Sequence, residues 1–259
     1  MKPKNFALLM LVMALMAIPS LVLADTYVQV ANHQDGFQAG GQNMPGRDDT
    51  TATWMGDNIA VHLDGTSSTI VNGETGMVTM VDHEKKSYVE MPIEAMGNID
   101  KMLEASGKSE EEVAMMKQQM QAMMAMMKLD AKVTPTEETK EIRGWNCKKY
   151  LVDLNMGMAK VKQEVWTTTD VKLDYSMYDK VMASGMMQMP GFQDALKEME
   201  KMDGLQVQVE GTVSAMGQEF GTKTEVLVVE TKDAPAGTYD VPKDYKKEAF
   251  EMGMGMGMK

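Results

Sequence analysis

Residues 51–91 read TATWMGDNIAVHLDGTSSTIVNGETGMVTMVDHEKKSYVEM. Apolar and polar residues alternate in short runs, and turn residues interrupt them at Gly56-Asp57-Asn58, Asp64-Gly65 and Asn72-Gly73. A period of two marks a strand with one covered face, and turn residues at such intervals join neighbouring strands antiparallel. The stretch therefore predicts a meander, and TYVQVAN at 26–32 predicts one more strand ahead of it.

The period changes at Pro92. From there to Leu129 apolar residues recur at helical spacing, with a break at Ser106-Gly107 and a restart near Ser109, where Glu110, Glu111 and Glu112 suit a helix N-terminus. Strand character returns in KVTPTEETKEI (132–142), CKKYLVDLN (147–155) and KVKQEVWTTTDV (160–171). Residues 174–202 are again helical in period, interrupted at Gly185 and Pro190, and LQVQVEGTVSAM (205–216) and FGTKTEVLVVETK (220–232) are the last strands before a polar tail. Helices inserted into a meander bury their apolar stripes on the sheet. The expected fold class is α+β: a curved, half-open antiparallel β-barrel with a Met-rich α-helical lid, both helical regions lying on its concave face.

Compartment narrows the chemistry. Residues 1–24 carry Lys2 and Lys4, run on as FALLMLVMALMAIPSLVL and end on Val22-Leu23-Ala24, the pattern of a secretory signal peptide cleaved after Ala24. Pro19 and Ser20 interrupt the apolar run, which argues against an uncleaved span and leaves the mature protein without a stable transmembrane anchor. No Cys follows Ala24, so lipid attachment there is not expected, and the expected location is the periplasm. Loss of a peptide with two Lys and no acid takes the net charge from −12 to −14, a surface that repels nucleic acid. Cys147 is the sole cysteine, so the core of one domain, 25–250, must hold without a disulfide, ahead of a flexible 251–259 tail.

Three stretches carry a family resemblance: Ile142-Arg-Gly144-Trp145-Asn-Cys147-Lys-Lys-Tyr150, then Glu164-Val-Trp166-Thr-Thr-Thr-Asp170-Val171, then Tyr239-Asp-Val241-Pro242-Lys-Asp-Tyr245. They resemble a family of exported bacterial proteins of unknown function, near the periplasmic lipoprotein carriers and their LolA-like fold. MVTMVDHEKKSYVEMP, from Met77 to Pro92, fits the same pattern, while the Met-rich helices and the tail lie outside it. The resemblance implies a half-open antiparallel barrel with a helical lid, and it brings no catalytic residues.

Methionine is the compositional signature, with 32 in 259 residues. Val113, Met116, Met120, Met123, Met124 and Met127 form one helical stripe, with Met115 and Met126 off it. Met177, Met182, Met186, Met187 and Met189 repeat the theme. Thioether side chains are flexible and polarizable and suit surfaces that fit ligands of varied shape. Met116, Met120, Met123, Met124, Met127, Met182 and Met186 are therefore the expected lining for an apolar ligand: a lipid, an acyl chain or a lipoprotein anchor. Thioether sulfur also suits Cu(I) or Ag(I), and Met252, Met254, Met256 and Met258 alternate with Gly in a spacing that could wrap one ion. A structural envelope protein with a filled core is the third reading.

Other chemistry is sparse. His33, His62 and His83 lack the spacing of a zinc site and read as surface or strand-end residues. Cys147 shares a strand face with Trp145, the mark of a buried, inert thiol. No phosphate loop, nucleophile elbow or metalloprotease helix is present, so no enzyme, catalytic residue or resident cofactor is expected, and no protein partner is indicated. The first expected outcome concerns processing: N-terminal sequencing of the exported protein returns Asp25, and Met1 recovered from a membrane fraction refutes the reading.

Overall fold

The computed structural model describes residues 24–39, 42–95, 111–118, 128–157, 159–173, 190–215 and 217–249. Strand β1 (Thr26–Gln34) leads through a small hairpin, β2 (Phe37–Ala39) and β3 (Gln42–Met44), into a meander. The meander runs β4 (Arg47–Gly56), β5 (Ile59–Asp64), β6 (Ser67–Asn72), β7 (Met77–Asp82) and β8 (Ser87–Pro92). After the helical turns of α1 (111–118) come β9 (Leu129–Ile142), β10 (Trp145–Met156) and β11 (Ala159–Thr168). Helix α2 (Phe192–Met199) precedes β12 (Leu205–Ala215), β13 (Gln218–Thr231) and a two-residue β14 (Lys246–Lys247). Among the described residues the protein is mostly β.

Twelve strands form one sheet in the order β14-β8-β7-β6-β5-β4-β1-β13-β12-β11-β10-β9. The expected half-barrel is thus a large curved sheet that does not close, with β9 and β14 at its edges. All its ladders are antiparallel except the short β14–β8 pair. The first strand lies between β4 and β13 and so joins two meanders that are far apart in sequence. The lid expectation falls largely on 96–110, 119–127 and 174–189, outside the described residues.

Directly opposed residues share a sheet face. One row, Trp54–Val61–Ile70, lies on one face together with Val81. The segment after β13, expected as a polar tail, crosses this face and packs Ala234, Tyr239, Val241 and Tyr245 against that cluster. Tyr and Val scattered among Pro, Gly and Asp have neither strand nor helix period, which is why the pattern hid their burial. The strap ends at the far edge, where the Tyr245 hydroxyl lies 3.1 Å from His83 Nδ1 and the Ser68 hydroxyl lies 3.0 Å from Nε2. Lys86 and Asp244 pair at 3.1 Å, and Lys247 pairs with Glu90.

Leu129, expected to end a helix, opens β9: it faces Met156, and its N–H donates to the Pro190 carbonyl at 2.8 Å. Helix α2 lies against this edge strand. Phe192 and Ala195 pack with Leu129, and the Val133 N–H donates to Glu198 at 3.0 Å. The Lys201 ammonium, followed by that N–H, holds the Glu198 carboxyl below its ordinary range. This contact is therefore complete above the usual carboxylate range and is lost as pH falls through the lowered value.

Two glycines pin α2 at its ends. Gly191 and Gly204 both sit at φ 87, and a Cβ would collide with the Leu129 carbonyl at the first and the Thr168 carbonyl at the second. Gly217 has φ 78 with open space around it. Gly217→Ala is expected to cost about 1–2 kcal/mol for backbone strain alone, and Gly191→Ala and Gly204→Ala more, because β9 or β11 must also move. Thermal melts of the three variants check this, and equal losses would show that the close approach is immaterial.

Candidate functional site

The face opposite the strap gathers the strand methionines. Across the first meander Ala60, Val71, Val78 and Met91 oppose one another in a row, all buried, with Met80 and Ile93 half-buried beside them. The register carries the same face across β4, β1 and β13 to Val209, Val165, Tyr150, Val152 and Val133, a second cluster covered by Met199 and Met202. Leu154, Met156, Val213 and Phe220 extend it and are half-buried. Phe37 of the small hairpin stacks on Phe220 at 4.5 Å. The face therefore carries Met55, Met80, Met91 and Met156 on its strands and Met199 and Met202 above them.

A polar strip separates the two clusters. Asn32 donates to Asp49 at 2.9 Å and accepts from Thr224 at 3.3 Å, and Thr53 bonds His62 at 3.0 Å. Apolar surface thus comes in two patches. Beside the first, a cleft of about 270 Å³ is floored by Met80, Val89 and Thr69 and rimmed by Asp82, Lys85 and Ser87. Beyond the second, a cleft of about 430 Å³ is lined by Thr139, Asn146, Lys148, Tyr150, Thr167 and Asp203.

Of the lining residues expected from sequence, Met116 lies in α1 and is half-buried, next to Met115 at 59% exposed. Met120, Met123, Met124, Met127, Met182 and Met186 lie outside the described residues, as do Met252, Met254, Met256 and Met258. Among the described residues no group of three or more His, Cys, Asp or Glu side chains could hold a metal ion. His33 lies at the surface, 2.7 Å from Asp48 and 3.1 Å from Asp35, and the Asp48 bond, then the Asp35 bond, raise its pKa. That contribution is present below the ordinary imidazole value and is lost as pH rises through the raised one. His62 and His83 are held by Thr53 and by Ser68 and Tyr245. Cys147 is buried, its thiol pushed up by burial. The strand methionines were missed, although the alternation Val78-Met80 and Val89-Met91 was there to find them.

The resemblance motifs occupy two places. Arg143 (φ 52) and Gly144 (φ 85) make the two-residue turn between β9 and β10, where Ile142 faces Trp145. The Asn146 N–H donates to Asp170 at 2.7 Å and the Thr168 hydroxyl to the Asn146 carbonyl at 2.9 Å, so the first two motifs form one corner. The third motif is the strap.

Residues 98–245 match the model of a family described as Domain of unknown function (DUF4412), more than half of the chain. The chain belongs to that family. The match takes in the Met-rich segments, which the resemblance left out, and begins after the Met77–Pro92 hairpin, which it included. No curated protein matches the chain. Among solved structures, PNGF-II is similar at 12% identity and TM-score 0.34, over 87% of this chain and 31% of that one, so this chain spans about a third of its length. A domain from Vibrio parahaemolyticus assigned to outer membrane lipoprotein sorting is similar at 4% identity and TM-score 0.29, over 84% and 89%. Likenesses this distant carry no argument about function. Among the described residues no helix is long and apolar enough to cross a membrane.

The matched segment carries a strap whose floor, Trp54, Val61, Ile70 and Val81, precedes it. A fragment of residues 98–249 is therefore expected to lack a cooperative melt and near-ultraviolet circular dichroism, whereas 25–249 retains both. A fragment that melts cooperatively would make the matched segment a self-sufficient unit.

Proposed function

We propose that this protein is a non-enzymatic binding or carrier protein for an apolar ligand, such as a lipid, an acyl chain or a lipoprotein anchor, working in the periplasm after cleavage at Ala24. One observation supports the reading above others: apolar residues from both meanders, valines and methionines foremost, turn to a single face, and several, Met80, Leu154, Met156 and Phe220 among them, are only half-buried. Apolar area that is not fully removed from water on folding is available to a ligand, at roughly 25 cal/mol per Å². Covered fully, it would be core. The Met-rich helical segments named from sequence belong to the same reading as further walls, and no cofactor or nucleic acid enters it.

The polar strip limits where a chain can lie. Laying methylenes across Asn32, Thr53 and Thr224 would desolvate hydrogen-bonded groups without replacing their water contacts. The ligand therefore sits on one patch and does not span both. Met156→Gln and Met80→Gln are the informative pair, one for each patch. If the second patch binds, Met156→Gln abolishes uptake of a fluorescent fatty-acid probe with the melting temperature retained, Met80→Gln leaves uptake intact, and Met156→Leu keeps binding while narrowing the chain shapes accepted. A collapse in melting temperature without a specific loss of uptake would make these residues packed core and refute the reading.

A further inference from the structure

Methionine is ordinarily among the residues that a fold removes from water. This protein does the reverse. Of the ten methionines within the described residues, Met91 alone is buried, at 4% exposed; Met115 is 59% exposed, and the other eight, Met55, Met77, Met80 and Met156 among them, are half-buried. Valine takes the interior instead, with Val61, Val78, Val165 and Val207 wholly enclosed. The one thiol is withdrawn as well: Cys147 is 2% exposed, lies 3.4 Å from the Trp145 carbonyl, and burial raises its pKa, which disfavours the reactive thiolate. Trp54 and Trp166 are also buried. The sulfur that faces water is therefore thioether sulfur.

A thioether takes an oxygen atom from a two-electron oxidant. With hypochlorous acid, R–S–R′ + HOCl gives R–S(O)–R′ + H⁺ + Cl⁻; with hydrogen peroxide the products are the sulfoxide and water. Sulfur loses two electrons, and the chlorine or the peroxide oxygen gains them. The new oxygen is a polar acceptor, so its effect on the fold depends on where it appears. On a half-buried side chain, three rotatable bonds let it turn to water. On Met91, packed with Val71 and Val78, it would be buried among apolar groups and destabilise the sheet. The acidic surface, at a net charge of −12, does not repel an uncharged oxidant such as either of these.

We propose that the accessible methionines are a sacrificial site for two-electron oxidants, hypochlorous acid and peroxides, taking up oxygen while the valine core keeps the fold standing. This role is independent of the apolar-ligand reading, although both invoke Met80 and Met156.

The test titrates the full mature protein with hypochlorous acid, maps sulfoxides by peptide mass spectrometry, and records a thermal melt and near-ultraviolet circular dichroism on the same samples. The nine accessible methionines are expected to react within about tenfold of the rate of N-acetylmethionine amide with the cooperative melt retained, and Met91 on the order of a hundredfold more slowly, because it reacts only when its surroundings open. Replacing Met55, Met77, Met80, Met115 and Met156 together with Leu removes sulfur at similar volume. In that variant Met91 and Cys147 should be oxidised, and the melt lost, at a lower ratio of oxidant to protein. A parent melt that collapses before the accessible methionines are converted, sulfoxide confined to Met115, or a leucine variant whose core is damaged at the same ratio as the parent overturns the proposal.

Discussion

The pairing of β1 with β13 holds the rest of the molecule together. Residues about two hundred positions apart in the chain meet there, Thr26 with Thr231 and Gln34 with Thr222, and without that seam the two meanders are separate sheets. Side chains reinforce it at both ends. Asp35 accepts from the Gly221 N–H at 2.9 Å, and Asn32 bridges to β4 and β13 together. At the other end the Asp25 backbone carbonyl accepts from the Lys232 N–H and its carboxylate from the Ala234 N–H, each at 2.9 Å, while the Lys232 ammonium lies 4.1 Å from the Tyr27 ring centre. A chain beginning at Asp25 keeps every one of these contacts, and one beginning at Thr26 would lack two of them. Closing so long a loop is entropically costly and slow, so the seam is expected to form after the local hairpins.

That constraint gives the sheet two working faces with different covers. The strap leaves β13 at Thr231 and crosses β4 to β8 on the Trp54 face to reach its own short strand. The opposite face is free of the strap and takes α2 at the distant edge. Covering β9 with a helix also deals with the open edge near Leu129 and Val133, and Pro135 with Glu137, Glu138 and Glu141 guards the remainder against pairing with another chain. The patch on which binding is proposed thus lies between a capped edge and a polar strip. Its limits are set by topology.

Much of this was legible in the sequence because period-two alternation with Gly, Asn and Asp turns reports strands directly: β1, β5 to β8 and β10 to β13 lie close to where the pattern puts them. What escaped follows from the same rule. The hairpin β2–β3 has three-residue strands, too short to show a period, and β14 has two. The strap is held by Tyr239, Val241 and Tyr245 singly, through ring packing that has no sequence period at all. Which face binds was also out of reach, since alternation says that two faces exist and not which residues cover each. The cleft at Thr167 could not be read because it depends on Thr139, Lys148 and Thr167 being opposed across three strands, a fact of register. The Asn-Cys-Lys-Lys-Tyr and Thr-Thr-Thr-Asp motifs meet there through the Asn146–Asp170 and Thr168–Asn146 bonds, which no sequence period reports.

The division between valine and methionine then has a physical reading. The strand floor of the patch is largely Val133, Val152, Val161, Val165 and Val209, β-branched residues with one strongly preferred rotamer that make a stiff surface. The side chains around and above it, Met156, Met199 and Met202, have three rotatable bonds each and repack at little energetic cost. A wall of leucine would bury similar area but would hold one shape, and small changes in a ligand would be felt as cavities or overlap. On the proposed reading, stiff floor and soft wall together would accept apolar ligands of varied shape at a constant position over the sheet. Methionine around a valine floor is thus the composition expected of a wall that repacks, which is what the proposed apolar-ligand role would require.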